Sequence, residues 1–396
     1  MRRSNLSSRS SELQRRAASH ALDAMRLAAA VVRECEGESS MIYRPVRLRK
    51  SCSTPASRIV AAALLAIVIE PAAAWADLAP GLYTGLQLQH QGIIRTYDVL
   101  VPASYDGSMA VPLVVELHPS YETAAFQRSI SGFAAIAETG GFIVAWPQAL
   151  GSTNSWNAGR FCGDPALDDV GFIRALVAAI GAENRIDPTR IYVTGLSCGG
   201  AMTHRLACEA SDLFAAAAPF NSPGPLVACA PSRAIPILMT HSRTDTWVPY
   251  AGGLLGGCPQ CGAFPGVVSQ FEAWRDRNSC TGSSPDVTEN PGTSSVCELY
   301  TNCGDGVQVG LCSVDSTFTH PTCVGTFPPP ADYLPCSLWD HHVSYAPYVL
   351  DGFSPQQRVW DFLSSFALPV PEPAPTALEL GALLAVAALR WVTRAV

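Results

Sequence analysis

Short apolar runs, each bounded by Gly, Pro or polar residues, recur along the middle of the chain. They predict strands at 91–102 (QGIIRTYDVLVP), 112–118 (PLVVELH), 142–147 (FIVAWP), 190–194 (RIYVT), 215–219 and 235–240 (IPILMT). A last strand is expected at 307–314 (VQVGLCSV), where apolar and polar positions alternate. Between these runs the period lengthens. Val170, Phe172, Ile173, Leu176, Val177 and Ile180 fall at helical spacing within 166–181. Further helices are predicted from Cys198 to about Ala210, over 268–277, and over 355–366 (PQQRVWDFLSSF). Buried strands alternating with helices argue an α/β fold with a mostly parallel sheet. Residues 252–266 and 279–305 are rich in Gly, Pro, Ser and Cys and read as disulfide-pinned loops. No internal repeat is present.

The two ends follow a different pattern. Arg44, Arg47, Arg49, Lys50 and Arg58 precede the apolar run Ile59–Ile69, and Ala74-Trp75-Ala76 follows with small residues where a signal peptidase cuts. An apolar run of eleven residues is too short for a hydrocarbon layer of about 30 Å at 1.5 Å per residue. We therefore read 41–76 as a signal peptide, 1–40 as a non-native or disordered extension, and 77–369 as the folded, exported domain. At the far end, Val370-Pro371-Glu372-Pro373 leads into the apolar stretch Leu380–Leu389 and then Arg390 and Arg394. Residues 370–396 thus resemble a PEP-CTERM sorting tail, which implies exosortase-like machinery as a partner and membrane contact only through this tail. A plain C-terminal anchor is the alternative. Both place the domain in a secreted, extracellular or cell-surface setting.

Cysteine usage agrees with export. Of fourteen cysteines, twelve lie beyond the leader, an even number suited to an oxidising compartment. The spacing of Cys258 and Cys261 also suits zinc, but no matching second pair follows, so disulfides are preferred and no metal site is expected. Residues 77–376 hold twelve basic against twenty-six acidic groups, a net of −14. Such a surface does not neutralise phosphates, and a nucleic-acid partner is not expected.

One stretch carries chemistry outright. Gly195-Leu196-Ser197-Cys198-Gly199 lies between a predicted strand and a predicted helix, which is where a G-x-S-x-G nucleophile elbow belongs. A sharp strand-to-helix turn strains the serine backbone, and bulky neighbours would clash there. A triad in the order Ser, Asp, His then points to Asp245, in the loop after IPILMT. A loop-capping aspartate is the alternative for Asp245. Asp168 and Asp169 precede the nucleophile and open a helix, which suits a structural role. The histidine should follow the last strand. His342 is preferred, with His341 and His320 as alternatives. For the oxyanion hole, the Cys198 N–H is one donor. The second should come from the loop after 112–118, where Pro119 has no N–H and Ser120 or Tyr121 remains.

These residues, with the stretches PLVVELH, WNAGRFCGDPALDDVGF, IDPTRIYVTGLSCGGAM, the run to SDLFAAAAPF, and HSRTDTWVPYAGG, resemble the LpqC-type polyhydroxybutyrate depolymerase/feruloyl esterase family of secreted α/β-hydrolases. The resemblance covers roughly 95–255 well. It implies an α/β-hydrolase fold, Ser197 as nucleophile, Asp245 as acid and a histidine ahead of Trp360-Asp361-Phe362, matching 341–342. It also implies a serine carboxylesterase acting on polymeric esters, either feruloyl or acetyl groups on polysaccharide or polyhydroxyalkanoate. That chemistry calls for no cofactor. Departures are specific: His118-Pro119 stands for the usual His-Gly, Cys198 for Asn, and His241-Ser242 for His-Gly. The family's GGH-x-WP signature is missing. Cys198 suggests a site-bracing disulfide with Cys162, or else a buried thiol. Cys208 with Cys229, Cys280 with Cys297 or Cys303, and Cys323 with Cys336 are the other expected pairs. Two rival functions remain open, a serine peptidase on this fold and a decayed surface-binding protein.

Overall fold

Why the middle of the chain makes strands buried on both faces is visible in its partition of side chains. A computed structural model describes residues 78–256, 258–290, 295–314 and 354–369. The expected signal peptide and sorting tail, the three candidate histidines and the expected Cys323–Cys336 pair lie outside them. Twelve strands are described: β1 (Gly81–His90), β2 (Ile93–Val101), β3 (Val111–Leu117), β4 (Ile143–Pro147), β5 (Ile186–Leu196), β6 (Ala216–Phe220), β7 (Ile237–Ser242), β8 (Gly252–Leu255), β9 (Cys258–Pro265), β10 (Val287–Glu289), β11 (Val296–Tyr300) and β12 (Val309–Val314). Ten form one sheet in the order β1-β2-β4-β3-β5-β6-β7-β12-β11-β10, and β8 pairs with β9 separately. The six central strands from β4 to β12 run parallel, with antiparallel strands at both edges.

Alternate residues of these parallel strands serve two cores. Leu113, Val115, Ile191, Val193, Ala217, Ile237 and Met239 point to one side. There they meet α3 (Asp169–Glu183), α4 (Cys198–Glu209) and α5 (Val267–Arg277) through Phe172, Leu176, Met202, Leu206, Phe271 and Trp274. Val114, Tyr192, Leu196, Ala216, Ala218, Phe220 and Leu238 face the other side. They meet α1 (Ala124–Ile130), α2 (Phe133–Gly140) and α6 (Pro355–Ser364) through Ala124, Phe133, Ala137, Val359 and Leu363. Period-two alternation delivers every second residue to each helical layer, so a continuous apolar run is what a doubly covered strand requires. This is the α/β-hydrolase fold.

Buried charge adds direction to the packing. Glu116, fully buried on β3, accepts from Gln127 Nε2 of α1 at 3.1 Å, from Ser131 Oγ at the C-cap of α1 at 3.1 Å, and from Trp146 Nε1 of β4. Asp169 forms a buried ion pair with Arg95 of β2 at 2.7 Å. Asp168 caps α3 by accepting from Gly171 N at 2.9 Å.

Several elements depart from the pattern-based reading. The expected loops 252–266 and 279–305 contain β8, β9, β10 and β11, because Gly and Cys composition masks short strands held by pairing and cross-links. β1 was not expected. It is an edge strand with no fully buried position, so it lacks the apolar signal of the core strands. α1 and α2 are too short to show a helical period clearly. Disulfides join Cys162 with Cys198, Cys208 with Cys229, and Cys280 with Cys303. Cys297 does not join Cys280. It bonds Cys312, its register partner across β11 and β12. Cys261 is also disulfide-bonded. No helix among the described residues is long and apolar enough to cross a membrane.

Candidate active site

Ser197 stands where β5 turns into α4. Its backbone has φ 59° and ψ −121°, a conformation that L-residues rarely adopt. Two neighbours hold it there. The Ser197 N–H donates to Phe220 O at 3.0 Å, and the Ala201 N–H closes the first helical turn on Ser197 O at 2.8 Å. The glycines are explained by close approach. A Cβ on Gly195 would lie 2.7 Å from Gly199 O, and one on Gly199 would lie 2.3 Å from Leu117 O and 2.6 Å from His118 O. The end of β3 therefore lies directly against the start of α4. The Ser197 side chain accepts no bond from the helix start, so the first N–H groups of α4 stay with the partial positive charge of a helix N-terminus.

The loop that β3 delivers is fixed by its own histidine. His118 is fully buried, and its Nε2 accepts from the Ala149 N–H at 3.0 Å. That leaves Nδ1 as the protonated nitrogen, and it donates to Pro119 O at 2.7 Å. Burial pushes the His118 pKa down to about 4, so the ring is neutral at physiological pH. The His118 carbonyl in turn accepts from Trp156 Nε1 at 2.9 Å. Behind Trp156, the Asn157 N–H donates to Asp169 Oδ2 at 2.7 Å and its carbonyl accepts from Arg205 at 2.6 Å. Of the two second-donor candidates, Tyr121 spends its N–H on Thr153 O at 2.6 Å. Ser120 remains, with its hydroxyl on Ser155 Oγ at 2.6 Å.

Asp245 sits in the loop after β7 and is only 4% exposed. Its Oδ1 accepts from the Trp247 and Val248 N–H groups, both at 2.8 Å. Its Oδ2 lies 3.6 Å from His241 Nε2, a nitrogen that donates to Val248 O at 2.7 Å. Register carries this loop to the edge that bears Ser197: Leu196 pairs with Phe220, and Phe220 pairs with Thr240. Val314, the end of β12, pairs with Ser242 beside it. Cys162 is bonded to Cys198, and Arg160, two residues before Cys162, reaches the Cys261 and Ala263 carbonyls of β9 at 3.1 and 3.4 Å. Ser197, Cys198, Ser120 and Asp245 thus come from turns that follow β5, β3 and β7. His342, His341 and His320 lie outside the described residues. Among the described residues no group of three His, Cys, Asp or Glu side chains is arranged to hold a metal.

Parts of the chain are similar to several known proteins. Residues 129–223 match the prolyl oligopeptidase family, a span that includes the Ser197 turn and ends before Asp245. Feruloyl esterase B of Piromyces equi is 37% identical over 231 residues, 56% of this chain and 42% of that protein. Poly(3-hydroxyalkanoate) depolymerase C of Paucimonas lemoignei is 39% identical over 112 residues, 27% of each chain. The chain thus spans less than half the length of either relative. Among solved structures, an acetyl xylan esterase from Aspergillus awamori matches with a TM-score of 0.45 at 17% identity, over 60% of this chain and 93% of its own.

No role could be assigned from sequence to His118, Trp156 or Asn157, although all three lie in motifs that stand out there. The missing signal is long-range: Trp156 meets the backbone of a residue 38 positions earlier.

Proposed function

We propose that this chain is an exported serine carboxylesterase of the LpqC-type polyhydroxybutyrate depolymerase/feruloyl esterase family. The observation that carries the reading is the strained Ser197 at the head of α4, facing helix-start N–H groups and backed by the β3 loop. Ser197 Oγ attacks an ester carbonyl while His342, preferred over His341 and His320, takes its proton. Asp245 orients that imidazole and stabilises its cation. The Cys198 and Ser120 N–H groups receive the developing oxyanion. The imidazolium protonates the leaving alcohol, and water, activated by the same base, then releases the acid. Val314, the last residue of β12, pairs with Ser242 beside the Asp245 loop, and all three candidate histidines follow it in the chain.

The substrate is an ester on a polymer met outside the cell, in keeping with relatives named for feruloyl, acetylxylan and poly(3-hydroxyalkanoate) chemistry. Export through 41–76 belongs to the same reading and is supported by the disulfides; sorting through 370–396 completes it. The match to the prolyl oligopeptidase family favours a second reading, amide cleavage by the same serine.

The deciding experiment uses the full chain, produced with its disulfides formed. Release of p-nitrophenol from a short acyl ester, lost in Ser197→Ala, is the expected result. Methyl ferulate, acetylated xylan and polyhydroxybutyrate then rank the substrates. Faster turnover of peptide p-nitroanilides would favour the peptidase. A folded chain that neither hydrolyses esters nor reacts with a fluorophosphonate would overturn the enzyme reading and leave a surface-binding protein.

A further inference from the structure

We infer that His118 is a positioning residue that aims the Ser120 N–H into the oxyanion hole by holding the Pro119–Ser120 peptide. The inference rests on the esterase reading and deepens it. A peptide unit is planar, and its C=O and N–H point in opposite directions. Pro119 O and Ser120 N–H belong to one such unit. The His118 Nδ1–H bond to Pro119 O, at 2.7 Å, therefore sets the direction of the Ser120 N–H as well.

Three further contacts make this an oriented device. The Ala149 N–H on Nε2 fixes the tautomer, so that Nδ1 must carry the donated proton. Gln148 Nε2 lies 3.2 Å from the same ring nitrogen. Trp156 Nε1 holds the preceding carbonyl, His118 O, so the peptide planes on both sides of Pro119 are pinned. Pro119 itself fixes φ and offers no N–H that could compete. A proline in place of the glycine usual at this point thus becomes intelligible. The loop is stiffened at one residue and aimed through that residue's carbonyl.

Asparagine and glutamine separate this role from packing. The amide nitrogen of Asn reaches the position of Nδ1, whereas the amide group of Gln reaches that of Nε2. In His118→Gln, kcat for p-nitrophenyl butyrate is expected to fall about 100-fold, the scale of a lost oxyanion donor, with KM within about threefold. In His118→Asn, at least about tenfold of that loss is expected to return, although the Ala149 N–H loses its acceptor. Equal kcat in the two variants, or a loss confined to KM, would overturn the inference. In the unaltered protein, nitrogen-15 NMR at pH 7 should show this ring protonated on Nδ1 and bare on Nε2. The opposite tautomer would overturn it even if neither variant folds. Absence of any Ser197-dependent hydrolysis in the unaltered chain would instead defeat the esterase reading beneath it.

Discussion

His118, just past the end of β3, and His241, near the end of β7, are both buried, and each ties down the loop that follows with an N–H···O=C bond of 2.7 Å. They do it with opposite nitrogens. His118 uses Nδ1, close to its own backbone, and holds the carbonyl of the next residue. His241 uses Nε2, at the far end of the ring, and holds Val248, seven residues on. In the proposed mechanism the group delivered after β3 is a backbone N–H, which needs control of one peptide plane. After β7 it is the Asp245 side chain, which needs a whole loop closed around it. Reach of the imidazole matches the size of the unit being fixed.

That contrast is sharpest at Asp245. In Asp245→Asn the amide oxygen can still accept from the Trp247 and Val248 N–H groups, so the loop should persist while the charge is gone. We expect kcat to drop by roughly 10⁴-fold with little change in melting temperature. Unchanged kcat would reduce Asp245 to a loop cap. Removing Cys208 and Cys229 together, at the far end of α4, is expected to cost about 3 kcal/mol of stability in urea titration. The kcat should stay the same, since that bridge is remote from both loops. At 241 the preference between amides should be the reverse of that at 118. Gln keeps a donor for Val248 O, and Asn should be less stable than Gln by about 1–3 kcal/mol. Equal stability would break the comparison.

The most gradual effect is in pH. The unfolded chain protonates an ordinary histidine near 6.5, whereas folded His118 holds out to about 4 and His204, fully buried against Trp274, to about 3. The unfolded state therefore binds more protons across this window. The stabilisation is complete above about pH 6.5 and is lost as pH falls toward 4, by at most about 1.4 kcal/mol per pH unit for each group. Urea midpoints measured from pH 7 to 4 should fall, and His118→Asn should flatten the slope. A variant with the slope of the parent would contradict the buried neutral ring.

How much could be read in advance divides along the same line. The parallel core, the Ser197 turn and the Cys162–Cys198 and Cys208–Cys229 pairs were legible, since apolar runs, a local glycine motif and cysteine placement each leave a mark in sequence. Asp245 was legible as acid or cap, and its Oδ1 accepts two loop N–H bonds while Oδ2 is turned toward His241. The His118 bond to Pro119 O was not legible, because a ring nitrogen meeting the adjacent carbonyl leaves no pattern of spacing. Nor was the pairing of Cys297 with Cys312, which depends on the register of an edge strand hidden in a Gly- and Ser-rich stretch.

Glu116 has a consequence for how this molecule can change. Its carboxylate serves Trp146, Gln127 and Ser131, which lie on two other elements. Exchanging Glu116 alone for an apolar residue would leave three donors stranded in the interior, at about 1–3 kcal/mol each. Exchanging any one partner leaves the carboxylate short of a bond. A drifting lineage could revise the outer face of α1 one substitution at a time. The buried quartet can be replaced only in concert, and so acts as a combination lock on where α1 meets the sheet.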